Sequence, residues 1–271
     1  MNKVTFPSFN LEFNINRVAV EINNIKIYWY AILIVSAFIL AIILCKRDDK
    51  KYDIKFENIL EMLLFIIPIS VISARIYYVI FKLEFYMQNP NQILNIQNGG
   101  LAIYGGIIGG VIAIAIYCKI KKIIFLDVLD YVVPYLSLGQ AIGRWGNFFN
   151  IEAYGKQTTS FLRMGIIENG RYIEVHPAFL YESILDLIIF IILILMKNKR
   201  KYKGQITYVY LILYSFIRII IEQIRTDSLM VGPIKISQLL SILIFVVFVV
   251  ILIYNKMQEN KKEVELWKEQ N

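Results

Sequence analysis

ITYVYLILYSFIRIIIEQIRTD, from Ile206 to Asp227, reads as a membrane-spanning helix that carries Arg218, Glu222 and Arg225 near its end. Residues four and seven apart share one face of a helix, so both arginines and the glutamate point the same way. One Arg at bilayer depth costs roughly 2.5–3.5 kcal/mol on insertion scales. Charges placed at that cost face a polar cavity, and two cations with one anion leave it net positive. An anion is its natural guest.

Outward from this stretch the same apolar blocks recur. Of 271 residues, 58% are hydrophobic, and the mean hydropathy is +0.57. A soluble domain holds nearer 45–50% apolar residues by roughly the usual averages. The sequence predicts an all-α polytopic membrane protein with seven transmembrane helices: Tyr28–Leu44, Ile59–Phe81, Leu101–Tyr117, Ile123–Ile142, Ala178–Met196, Ile206–Ile221 and Ile236–Tyr254. Asp127, Asp130 and Pro134 interrupt the fourth. One membrane domain is expected, with an arm over 1–27, a bundle over 28–255 that includes a head at 150–177, and a tail over 256–271.

The formal net charge is +8. More than half of the 29 basic residues fall in the connections at 46–55, 119–122 and 197–203 and in the tail. The positive-inside rule puts these in the cytoplasm, which leaves the N-terminus extracytoplasmic and the C-terminus cytoplasmic. Such short clusters beside spans do not form the continuous basic face that nucleic-acid binding needs, so no nucleic acid is expected. Cys45 and Cys118 lie on the same inner side and read as small apolar packers. Residues 1–27 lack the continuous apolar core of a cleavable signal peptide.

Between residues 4 and 27 the apolar positions alternate loosely (Leu11, Phe13, Ile15; Val18, Val20, Ile22), which predicts short extended segments on the outer face. In the head, Asn169-Gly170 separates two short runs of strand character, the favoured pair for a tight β-hairpin turn. The tail is polar and charged, and either a fraying helix or a disordered segment fits it.

Four motifs carry candidate chemistry. In GGLAIYGGIIGG, Gly105 and Gly106 with Gly109 and Gly110 suit close helix contact. The same bare backbone at a helix N-terminus would let a lipid headgroup approach, with Tyr104 in its midst. In GRWGNFFNIEAYG, Arg144, Asn147 and Asn150 recur every third residue and share a helical face, followed by Glu152. An arginine offers a bidentate fork to phosphate, and the asparagines can donate to esters or hydroxyls. HPAFLYES holds His176, the one histidine of the chain, and Glu182, a carboxylate that in a membrane needs an arginine partner. WYAIL and ARIYY place Tyr30, Arg75 and Tyr78 near the outer ends of the first two spans.

The run GRWGNFFNIEAYG, together with GGLAIYGG, HPAFLYE and YSFIRIIIEQIR, resembles the prolipoprotein diacylglyceryl transferase family. The resemblance extends from about Tyr30 to Ser241 with the motifs in the same order. It implies a bacterial cell-membrane enzyme that moves a diacylglyceryl group from phosphatidylglycerol to a cysteine thiol. That cysteine stands in the lipobox behind a prolipoprotein signal peptide. The products are a thioether and glycerol phosphate, and neither a metal nor an organic cofactor is implied. The family's essential arginines fall on Arg144 and Arg218. Its lipid-binding positions fall on Asn147, Asn150, Glu152, Tyr30, Arg75, Gly105 and Gly106, and its sixth-span ion-pair partners on Glu222 and Arg225.

One departure is chemical. Tyr104 stands where many members have histidine, and a tyrosine has a reference pKa near ~10 against ~6.5 for histidine. Either the base lies elsewhere, or the thiol is deprotonated with electrostatic help alone, or the position only contacts lipid. A lipid or anion transporter is the rival class, but no internal repeat is visible. A seven-helix pigment would need a lysine deep in the last span, and none is there.

Overall fold

The computed structural model describes residues 2–23, 25–47, 52, 54–96 and 99–270. The chain opens with strands β1 (Asn2–Phe6), β2 (Leu11–Ile15), β3 (Val18–Ile22) and β4 (Ile25–Tyr28). Helices α1 (Trp29–Lys46), α2 (Phe56–Phe81), α3 (Leu83–Gln88), α4 (Ile103–Lys121) and α5 (Phe125–Asn150) follow. Then come β5 (Met164–Glu168), β6 (Arg171–Val175), α6 (Ala178–Lys197), α7 (Gln205–Ile224), β7 (Met230–Val231), β8 (Ile234–Lys235) and α8 (Ile236–Gln270). The residues form two compact units, Met1–Leu44 with Val132–Asn271, and Cys45–Tyr131.

Six helices are long and apolar enough to cross a membrane: Trp29–Lys46, Phe56–Phe81, Ile103–Lys121, Ala178–Lys197, Gln205–Ile224 and Ile236–Glu259. The protein is a polytopic membrane protein. α5 has 26 residues, as many as α2, but it is more polar. Its Asp130 and Ser137 are fully buried, so protein rather than lipid surrounds them. The helix also runs eight residues past the predicted end at Ile142, which places Arg144, Asn147 and Asn150 on helical backbone. The tail resolves the open alternative in favour of helix, because α8 continues to Gln270.

An all-α description is too narrow. β1, β2, β5 and β6 form a four-stranded antiparallel sheet in the order β2-β1-β5-β6. The arm and the head therefore share one sheet, with Thr5 opposite Gly165. The β5–β6 hairpin turns at Asn169-Gly170 with φ of 50° and 78°. Positive φ at both central residues is what a two-residue type I′ turn requires. Val4, Ile15, Met164, Ile166 and Val175 of the sheet pack on Phe148 near the end of α5 and Phe179 at the start of α6. That apolar contact fixes the two helix ends next to Arg144 and Glu182.

In the unit Cys45–Tyr131, α4 lies against α2. A Cβ on Gly105 would collide with Tyr77 and with the backbone of Ser73, and one on Gly109 with the Ser73 side chain. These glycines act as the close-contact face of α4, while Gly106 would meet only ordinary van der Waals neighbours.

Candidate functional site

Polar side chains lace α5, α6 and α7 together. Ser183 Oγ donates to the Ala141 carbonyl at 2.8 Å and accepts from Trp145 Nε1 at 3.1 Å. One turn further along α6, Ser137 Oγ donates to the Asp186 carbonyl at 2.7 Å. Tyr210 on α7 donates to Gln140 Oε1 at 2.9 Å. Each bond satisfies a polar atom that lipid could not, so together they fix the rotation of the three helices.

This lacing brings three arginines onto one carboxylate. Arg144 Nε lies 2.5 Å from Glu182 Oε2, an ion pair bent away from hydrogen-bond geometry. Arg218 Nη1 and Arg225 Nη1 reach Glu182 Oε1 at 2.8 and 3.2 Å. Arg218 Nη2 also lies 2.7 Å from Glu222 Oε2, its neighbour one turn along α7. Arg225 closes a fork on Asp227, with Nε to Oδ1 at 2.9 Å and Nη2 to Oδ2 at 2.6 Å.

Glu182 and Glu222 are buried, while the Arg144 and Arg218 side chains keep 19% and 17% of their surface exposed. The carboxylates thus form the floor and the guanidinium groups the accessible layer. Among the described residues only Nε of Arg144 meets a carboxylate, which leaves its two terminal nitrogens for an anion. At the outer edge, burial works against the charges of Arg225 and Asp227. Their mutual hydrogen bonds and attraction outweigh it, so the Arg225 pKa is raised and the Asp227 pKa lowered.

The last turn of α7 is anchored from two sides. Lys235 Nζ donates to the carbonyls of Glu222 and Arg225, the latter at 3.1 Å. Lys156 N donates to the Ile224 carbonyl at 2.7 Å, and Thr226 Oγ1 to the Tyr154 carbonyl at 3.2 Å.

The rest of the GRWGNFFNIEAYG motif forms a second group. Asn147 Nδ2 and Asn150 Nδ2 both donate to Glu152 Oε1, at 3.1 and 3.0 Å. Glu152 sits between Ile151 and Ala153, which hold φ of 51° and 55°. Left-handed backbone is costly for a β-branched residue, and such strain collects where a side chain must be held in place. Tyr30 packs against α5 at Gly146, where a Cβ would strike its ring.

The remaining expected residues lie in the other compact unit. Tyr104, Gly105 and Gly106 occupy the first turn of α4. Arg75 is wrapped in backbone: Nε donates to Ile93 O, Nη1 to Gly99 O and Gly100 O, and Nη2 to Gln92 O and Asn95 O, all between 2.6 and 3.0 Å. A guanidinium has five N–H groups, so none remains for a phosphate. Two hollows, of 380 and 220 Å³, flank the sheet, and neither is lined by Arg144, Glu182 or Arg218.

Sequence reasoning gave Glu182 an arginine partner but did not see that three arginines share it. It passed over Asp186, which is 1% exposed and carries an Oδ2 with no hydrogen-bond partner among the described residues. The available signal was two carboxylates four residues apart in an apolar helix.

The family model described as prolipoprotein diacylglyceryl transferase matches residues 17–254. A protein of Finegoldia magna is 45% identical over 92% of this chain and 99% of its own length. One of Clostridioides difficile is 47% identical over 84% of this chain and 90% of its own. One of Listeria monocytogenes is 44% identical over 90% and 91% respectively. All three are named phosphatidylglycerol–prolipoprotein diacylglyceryl transferase. A match of this extent, over a chain that gathers three motif arginines on one buried glutamate, has one reading: the chain belongs to the prolipoprotein diacylglyceryl transferase family.

Proposed function

We propose that this protein transfers the diacylglyceryl group of phosphatidylglycerol to the lipobox cysteine of prolipoproteins, with Arg144 and Arg218 as the clamp on the lipid phosphate. The observation that carries the clamp is the shared Glu182 carboxylate, which holds both guanidinium groups side by side with part of each exposed. The substrate sulfur attacks the glycerol carbon next to the phosphate ester. The S–C bond forms, the C–O bond breaks with its electrons staying on oxygen, and glycerol phosphate leaves. The thiol proton passes to the departing phosphate or to solvent.

A free thiol with pKa ~8.5 is only a few per cent ionised at about pH 7, and adjacent cations lower that pKa. The same cations stabilise the charge that grows on the leaving oxygen. Glu222 and Arg225 hold the clamp in place. Asn147, Asn150, Glu152 and Tyr30 contact the remainder of the headgroup. Arg75 serves lipid binding through the backbone carbonyls of Gln92, Ile93, Asn95, Gly99 and Gly100 that it gathers, and Gly105 and Gly106 through their place in the first turn of α4. Tyr104 contributes a hydroxyl or lipid contact.

In this reading α5 is the seventh span. The β-sheet head and the N-terminus lie outside the bacterial cell membrane, and the C-terminus lies in the cytoplasm. The whole chain works as one membrane domain.

One incubation tests the reaction: labelled phosphatidylglycerol with a lipobox peptide bearing Cys or Ser at the acceptor position. Thioether product and free glycerol phosphate with Cys alone support the reading. Intact phosphatidylglycerol moved across the bilayer would instead mark a transporter.

A further inference from the structure

Asp186 lies one helical turn from Glu182 on α6, on the same face. It is 1% exposed. The hydroxyl of Ser137 goes to its backbone carbonyl and leaves the carboxyl group alone. Its Oδ2 is buried and makes no hydrogen bond among the described residues. The charged groups that face it are Arg144 from α5, Glu182 from its own helix and Arg218 from α7, with the phenols of Tyr210 and Tyr214 also on α7.

The arginines of the cluster already have carboxylate partners. Arg144, Arg218 and Arg225 are matched by Glu182, Glu222 and Asp227. Glu222 is as deeply buried as Asp186, but Arg218 Nη2 lies 2.7 Å from its carboxylate. Asp186 has no such ion pair among the described residues. A fourth carboxylate charge would therefore stand unpaired at a position shut off from solvent, the costliest arrangement for an ion.

We infer that Asp186 is held as a neutral acid and, acting through Glu182, sets how tightly the arginine cluster holds an anionic headgroup. The inference rests on the reading of Arg144 and Arg218 as the phosphate clamp. An incoming phosphodiester brings one negative charge and competes with the Glu182 carboxylate for the attraction of the two guanidinium groups. With Asp186 neutral, the floor of the site carries only the charge needed to hold the arginines. Ionised Asp186 repels the phosphate and pulls the arginines inward, so the lipid is held more weakly. Asp186 is in this sense a positioning residue: it shapes the field of the clamp and touches no reacting atom.

Phosphatidylglycerol binding to the full-length protein in detergent, with no acceptor peptide, isolates this effect from thiol ionisation. From about pH 7 to about pH 10, binding to the wild type weakens by about tenfold, the scale of one added charge at this depth. Asp186→Asn keeps the proton-bearing shape without the acid, and its binding stays flat and tight. A wild type without pH dependence, or an Asp186→Asn curve that follows the wild type, overturns the inference. Arg144→Ala and Arg218→Ala separate the two readings. Binding lost at every pH upholds the clamp whatever Asp186 does, and unchanged binding overturns the clamp and this inference with it.

Should Asp186→Asn not fold, infrared spectra of the wild type in an ester-free detergent decide. A protonated-carboxyl C=O band at neutral pH that moves in Asp186→Glu supports the neutral acid. Absence of such a band overturns it.

Discussion

Arg144 on α5 and Arg218 on α7 are held by opposite oxygens of one carboxylate, Glu182 on α6, at 2.5 and 2.8 Å. The two guanidinium groups are thus bridged by a single carboxyl group. Removing that bridge leaves three arginines facing one another. Glu182→Gln is expected to lose about 3–5 kcal/mol of stability, the usual scale for breaking a buried ion pair. The expected drop in detergent melting temperature comes with loss of transfer; an unchanged melt would show the triad is not a structural hub.

Arg144→Ala and Arg218→Ala are expected to stay in the membrane and to lose about a hundredfold or more in transfer rate, since one lost charge-stabilising donor costs about 2.7–4 kcal/mol. Lysine at either place keeps the charge but not the fork, so it restores only part of the rate. A purified variant with near wild-type turnover would remove that arginine from the clamp.

Tyr104→Phe separates chemistry from packing. Loss beyond about a hundredfold, within the range of general acid–base catalysis, assigns the hydroxyl a role in proton transfer. A mild effect assigns the position to lipid contact, in keeping with its place on the α4 face next to Gly105.

His176 offers a pH test of the junction between β6 and α6. Its Nδ1 meets Tyr181 OH at 3.2 Å, and burial pushes its pKa below the usual value of 6.5. The folded state then binds this proton less readily than the unfolded chain, so stability rises with pH. The contribution is complete above about pH 6.5 and fades as pH falls through the lowered folded value. Melting curves across this window should lose that slope in His176→Gln. A persistent slope would place its origin in another group.

Gly146→Ala sets a methyl group against the ring of Tyr30. Overpacking of this kind costs about 1–3 kcal/mol. The double variant with Tyr30→Ala should recover stability without recovering transfer. Recovery of both would leave Tyr30 no part in lipid binding.

The apolar helices were legible because a bilayer demands long uncharged runs, and the arginines of α7 because charge at depth is expensive. The spacing of Arg144, Asn147 and Asn150 also announced a common face, although α5 extends further than its apolar part suggested. What stayed hidden depends on partners distant in sequence. Nothing local in NKVTF says that β1 pairs with β5, and nothing in YESILD says that Glu182 serves three arginines at once. Arg75 is a further case. The cost of charge at depth marked it in the sequence, but not that the backbone carbonyls of Gln92, Ile93, Asn95, Gly99 and Gly100 take all of its N–H groups.

Thr5 and Tyr172 meet through their hydroxyls across 167 residues of chain. During synthesis the first hairpin must therefore wait, half-finished, while the greasy helices behind it are threaded into the bilayer. Long-range pairing of this sort is slow to form. The head is then completed only when the oldest segment docks onto β5, made about 160 residues later, and a competitor peptide that mimics β1 is expected to hinder that docking.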